Sequence, residues 1–532
     1  MLWFFFCIAV LILGYFIYGK IIEKIFVINP NRDTPAYTMG DGVDYVPMSK
    51  GKIWLIQLLN IAGTGPIFGP ILGALYGPVA MLWIVLGCIF AGAVHDYMCG
   101  MLSVRNRGAS MPYLTGKYLG TIPKHFINIL AVVLLVLVGV VFVASPAQLM
   151  SSITMDVFGT TATGAISVDN AESMTANAGT TTNTVFGVSK EGIIIAWTSV
   201  IFVYYIIATL LPIDKIIGRI YPFFGGLLLF MSLGMTYGLV MNELGDAQSY
   251  FYHSMGGLSV ESFFQNLQPK GDLPIWPLLF LTITCGALSG FHATQTPLMA
   301  RCAMNESEGR FIFYGAMIAE GIIALIWCTV GLSFYPDLVS LQDAITAGSP
   351  SKVVYDSSIG YLGSIGGIFA VLGVVILPIT SGDTAFRAAR LIIAEFLNME
   401  QRTLMKRLWI AIPLFVIGFI VSKVDFQILW RYFSWANQTV AVVMLWTAAG
   451  YLYRYHKFHW ICTIPAIFMT AACCTFLAYN KIGFSLDYTL SLYIGAGLTA
   501  IITIAFFLFV KRESIAGDPE SLIGQEATSA KI

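Results

Sequence analysis

Five ionisable side chains stand in runs of apolar sequence: the adjacent pair His95 and Asp96, then His292, Glu320 and Asp383. A charge at bilayer depth costs at least about 2.5–3.5 kcal/mol on insertion scales, so such residues mark function by default. Desolvation favours the neutral form of a carboxyl group, which lets it take up and release a proton. His95, Asp96, Glu320 and Asp383 are therefore expected to couple movement of a solute to protons. Asp96 shares a helical stripe with Gly92, Gly100 and Ser103, a small and packable face. The plainer alternative is that these groups satisfy exposed carbonyls, or pair with Arg105 or Arg387.

A second kind of chemistry is offered by the backbone. The stretch 61–70, IAGTGPIFGP, places three glycines and two prolines inside an apolar run, and 284–303, TCGALSGFHATQTPLMARCA, is likewise interrupted by small residues and one proline further on. Pro66, Pro70 and Pro297 each lack an N–H and so free the carbonyls of Ala62, Pro66 and Ala293. Gly63, Thr64 and Gly65 can turn N–H groups toward a ligand, and a half-helix starting at Pro66 presents the positive end of its dipole. Thr296 is expected to cap a second half-helix facing the first. Two positive ends meeting at mid-membrane would seat a carboxylate. The expected substrate site is thus Gly63, Thr64, Gly65, Pro66, Ser289, Gly290, His292, Thr294 and Gln295. The Ala62 carbonyl with the hydroxyls of Thr380 and Ser381 would suit a sodium ion. The alternative is that the glycines merely allow close helix packing.

These residues need helices to hold them. Of 532 residues, 57% are hydrophobic and 11% charged, against roughly 25% charged in soluble domains. The chain reads as an integral membrane protein. Spans of about 20 apolar residues fall near 2–19, 52–78, 79–103, 124–145, 191–211, 218–241, 275–300, 311–334, 361–380, 407–421, 428–450, 458–479 and 488–510, thirteen in all. The first lacks a charged n-region and a cleavage site, so it is expected to be a retained helix. Lys and Arg cluster after alternate spans, which puts the N-terminus outside and the C-terminus in the cytoplasm. Net charge is zero and suggests no nucleic-acid partner. The nine cysteines lie in or beside spans, without CxxC spacing, and read as buried thiols. Residues 145–189 read as a long external loop, 29–50 as a locally structured cytoplasmic loop, and 383–400 as a short amphipathic surface helix.

The two interrupted segments run in opposite directions, and each begins a set of five spans. That arrangement predicts an all-α polytopic protein built on two inverted repeats, 52–241 and 275–450. A helix and loop (1–51) precede them, and two helices with a cytoplasmic tail (451–532) follow. The motifs DGVDYVP (41–47), IAGTGPIFGPILG (61–73), GAVHDY (92–97), SVRNRGAS (103–110), SGFHATQ (289–295) and ITSGDTAFRAARL (379–391) together resemble the carbon starvation protein A family. The resemblance implies a transporter of the bacterial cytoplasmic membrane, in the amino acid–polyamine–organocation superfamily with its five-plus-five, LeuT-like fold. It further implies uptake of peptides, or of pyruvate with protons, under nutrient limitation. A carboxylate seat suits both. The expected function is proton-coupled import by alternating access, with a channel or a nutrient sensor on the same scaffold as alternatives. No cofactor is called for, and oligomeric state leaves no mark. HExxH is absent, and Gly382–Asp383 lacks a GxGD context, so an enzyme is not expected.

Overall fold

In hydrocarbon each peptide group must bond within its own segment, and helices accordingly make up nearly all the regular structure. The computed structural model describes residues 2–42, 44–158, 184–185, 188–210, 213–244, 260–271, 273–397, 399 and 403–512. In chain order the helices are α1 (Leu2–Phe16), α2 (Tyr18–Phe26), α3 (Pro35–Thr38), α4 (Lys50–Ile61), α5 (Gly65–Ala74), α6 (Val79–Gly87), α7 (Ala93–Arg105), α8 (Met111–Leu119), α9 (Thr121–Phe158), α10 (Lys190–Leu210) and α11 (Ile213–Leu244). They continue with α12 (Ile275–Thr282), α13 (Gly290–Ala300), α14 (Gly315–Ser333), α15 (Leu338–Phe396, kinked by non-helical backbone at Gly348, Ser349 and Gly363), α16 (Leu404–Val421), α17 (Phe426–Arg454), α18 (Trp460–Tyr479) and α19 (Tyr488–Phe509).

Among the described residues, nine helices are long and apolar enough to cross a membrane, and the bent pair α4–α5 makes a tenth. The other three expected spans are helical too. The span at 275–300 is divided between α12 and α13, while those at 407–421 and 428–450 are α16 and α17. In the packed bundle α5 lies against α14, α13 against α7 and α17, and α9 along α15. These contacts bring both interrupted segments to the centre.

Two π-helical turns interrupt the α-helical winding, Cys88–Gly92 between α6 and α7 and Arg310–Tyr314 ahead of α14. They touch. The Tyr314 hydroxyl donates to the Ile89 carbonyl at 3.1 Å, and the Cys88 thiol donates to the Met317 carbonyl at 3.3 Å.

Two expectations need correction. Residues 383–396 form no separate surface helix. They continue α15, with Phe386, Arg387 and Arg390 buried, because α9 and its neighbours cover the face that seemed free. Residues 145–158, expected in the external loop, belong to α9, which accommodates Pro146 in its interior. Most of that loop (159–183) and the C-terminal tail (513–532) lie outside the described residues. The 29–50 loop is structured as expected: Asp41 Oδ1 accepts the N–H groups of Asp44 and Tyr45, each at 2.9 Å. Beside it, Arg105 donates to Glu306 through Nε at 3.1 Å and Nη2 at 3.0 Å, and to the Tyr451 hydroxyl at 2.7 Å. Arg105 is therefore held by Glu306 and not by Asp96.

Candidate functional site

The first interruption is short. Ala62–Thr64 separates α4 from α5, and their axes diverge by 49°. Pro66 is the second residue of α5, where a missing N–H leaves no intrahelical bond unmade. The Thr64 carbonyl accepts from Phe68 at 2.8 Å and so starts the new helix. Its hydroxyl is buried without a hydrogen-bond partner among the described residues.

The second interruption is longer, 283–289, between α12 and α13, and it turns at Gly286 with φ +83°. This backbone is satisfied by two neighbouring amides of α17. Asn437 Oδ1 accepts from the Phe291 N–H at 2.7 Å, while Nδ2 donates to the Thr284 carbonyl at 3.0 Å and to Ser289 Oγ at 3.2 Å. Gln438 Nε2 donates to the Leu288 carbonyl at 3.0 Å. The helix starts at Gly290, so Thr296 is not its cap. Thr296 and Pro297 are interior, and Thr296 Oγ1 accepts from Gln57 Nε2 of α4 at 3.1 Å. The expected pair of open positive ends is also revised, because Asn437 already occupies the start of α13. Asn437→Ala is expected to destabilise the protein by about 1–3 kcal/mol for each of the two backbone groups it strands. The thermal unfolding midpoint in detergent would show the loss, and an unchanged midpoint would dismiss the bracing role.

The two interruptions touch. A Cβ on Gly65 would overlap the Cys285 side chain, and one on Gly69 would lie 3.1 Å from the Thr282 carbonyl oxygen. One on Gly92 would overlap the Ala287 carbonyl, so the small stripe beside Asp96 does admit the second interruption. Around this contact the scattered ionisable residues join in a line. Asp96 Oδ1 is 2.8 Å from His95 Nδ1, and Asp96 Oδ2 is 2.9 Å from His292 Nδ1. On its far side, His292 Nε2 lies 3.4 Å from Glu320 Oε2, within ion-pair distance but without hydrogen-bond alignment. All four side chains are fully buried. Four groups from α7, α13 and α14 thus form one line, hydrogen-bonded from His95 through Asp96 to His292 and reaching Glu320 by the 3.4 Å approach.

The remaining expected residues are placed elsewhere. Gly63 lies in the first interruption, while Ser289 and Gly290 stand where α13 begins. Thr294 donates to the Phe291 carbonyl at 2.6 Å and lines a small cleft with Arg301 and Glu395. Gln295 is fully buried, its Oε1 without a hydrogen-bond partner among the described residues. Asp383 is not in the line. It lies 3.8 Å from Arg387 Nη2, one turn along α15. Of the sodium set, Ser381 Oγ donates to the Leu59 carbonyl at 3.2 Å and Thr380 Oγ1 to Leu377 at 2.8 Å. Ser381 therefore meets the first interrupted helix a turn before Ala62. Cys285, read as a buried thiol and buried in the structure, lies against Gly65 at the site, and sequence reasoning passed over Asn437 and Gln438 beside it. The adjacent amides within an apolar run were the signal for the last two.

A family model described as carbon starvation protein CstA matches residues 1–190 and 171–354. A membrane protein of Haemophilus influenzae is 69% identical over 353 residues, 65% of this chain and 95% of its own. The pyruvate/proton symporter BtsT of Escherichia coli is 28% identical over 370 residues, 64% of this chain and 50% of its own. The peptide transporter CstA of Bacillus subtilis is 25% identical over 534 residues, covering 87% of each chain. Among solved structures, MhsT in complex with L-phenylalanine superposes with a TM-score of 0.52 at 14% identity, over 87% of this chain and 99% of that one. The likeness is one of fold, the LeuT-like arrangement of helices.

Proposed function

The chain belongs to the carbon starvation protein CstA family, and on that premise we propose that it is a secondary active transporter importing a small carboxylate-bearing nutrient, a peptide or pyruvate. Import is driven by protons through alternating access across the bacterial cytoplasmic membrane, with the N-terminus outside. The observation that carries this reading is the buried line His95–Asp96–His292–Glu320, set where two interrupted helices meet. Relatives named as a peptide transporter and a pyruvate/proton symporter support the substrate class.

The start of α5, with the unpartnered Thr64 hydroxyl, receives the substrate carboxylate. The buried line carries the proton beside it. The repeats, each led by one interrupted helix, rock about this contact. Protein reconstituted in liposomes and offered labelled pyruvate and dipeptides, with proton and sodium gradients imposed separately, tests the proposal. Saturable accumulation under an inward proton gradient alone is the expected result. Accumulation under sodium alone would transfer coupling to Ala62, Thr380 and Ser381, unsaturable flux would mean a channel, and binding without flux a sensor.

A further inference from the structure

We propose that Cys285, His292 and Glu320 form a binding site for a borderline-soft divalent cation of the zinc class. The Cys285 thiol, the His292 imidazole and the Glu320 carboxylate each offer one ligand atom within 4.8 Å of the others, and all three residues are buried. A tetrahedral zinc site needs ligand atoms about 3.3–3.8 Å apart, from metal–ligand lengths of about 2.0–2.3 Å. Side-chain rotations that move each ligand atom by roughly 1 Å close that gap. Thiolate, imidazole and carboxylate together suit zinc or cobalt, and not the all-oxygen preference of magnesium or calcium.

A second, independent feature points to a ligand. His292 Nε2 and both carboxylate oxygens of Glu320 have no hydrogen-bond partner among the described residues, though all are buried. The orientation of the imidazole is set from behind: Nδ1 rests on Asp96 Oδ2 at 2.9 Å, and Asp96 is itself held by His95. A carboxylate on one ring nitrogen, leaving the other aimed at a cation, is the usual support behind a metal-bound histidine. The sulfur is supported as well. Asn437 Nδ2 and Thr284 Oγ1 both point donors at Cys285 Sγ from 3.9 Å, and the thiol donates to Ser289 Oγ at 3.3 Å, a proton that binding of the ion would displace. Three protein ligands leave one position open to exchange. An ion bound here would tie the second interruption, through Cys285, to α14, through Glu320.

This inference goes beyond the transport reading and is tested without flux. Full-length protein in detergent micelles is titrated with Co2+ alone, and the absorption spectrum is followed. One Co2+ per chain with a thiolate-to-cobalt charge-transfer band is expected, displaced by Zn2+. Cys285→Ser should abolish the band, while Cys88→Ser, whose thiol is directed at Met317, should keep it. Asp96→Asn should weaken binding about 10–100-fold, the usual cost of losing such a support. No charge-transfer band in the parent protein, or a band that survives Cys285→Ser, would overturn the site.

Discussion

Asp96→Asn is expected to abolish proton-driven accumulation while leaving counterflow exchange partly intact. The substitution preserves shape, so the contact between α7 and α13 survives it. The amide, however, replaces a carboxylate that receives both His95 and His292, at 2.8 and 2.9 Å, and it cannot exchange a proton. The amide also accepts through one atom only, which strands one of the two imidazole donors at about 1–3 kcal/mol, so the unfolding midpoint should fall in parallel. Glu320→Gln breaks the other end of the line and should have the same transport phenotype. Uphill uptake and exchange are measured in one proteoliposome preparation. If both variants accumulate substrate like the parent, the buried line is no proton path.

Gly65→Leu should eliminate substrate binding. A side chain here obstructs the approach of a ligand to the backbone N–H groups, and the structure gives a further and stronger reason. Already a Cβ would overlap Cys285, so even Gly65→Ala forces the two interruptions apart. Overpacking of this kind typically costs about 1–3 kcal/mol, occasionally more. Gly497→Ala is the contrasting case, since nothing lies within 4 Å of its Cβ. That change should be neutral or slightly stabilising, by up to about 1 kcal/mol. Equilibrium binding of labelled substrate in detergent separates the three, and unchanged affinity in Gly65→Leu would remove this contact from the site.

How much of this was legible in the sequence depended on the kind of information required. Each member of the line was visible alone, because a charge in an apolar run stands out whatever surrounds it. Their union was not, since it depends on how three helices are rotated about their axes. The interruptions were anticipated but placed a few residues late. Proline marks the first turn of a new helix more readily than the point of rupture, which at the first site is Ala62–Thr64 and at the second is 283–289, with no proline in it. Pro297 sits undisturbed inside α13. Cys285 was taken for an apolar thiol, and Asn437 and Gln438 were passed over because neither carries a charge. Covering a ruptured backbone nevertheless calls for neutral donors and acceptors of that kind.

The paired π turns set the aim of the acidic groups. Each residue added to a helical turn spins everything downstream by roughly 100°, and π segments stand four residues ahead of Asp96 and six ahead of Glu320. Winding either one back to the ordinary pitch by a single deletion would swivel its carboxylate away from His292 with every reactive residue still present. Helix phase is thus an inherited part of this centre's chemistry, and a tally of matching side chains would not register its loss.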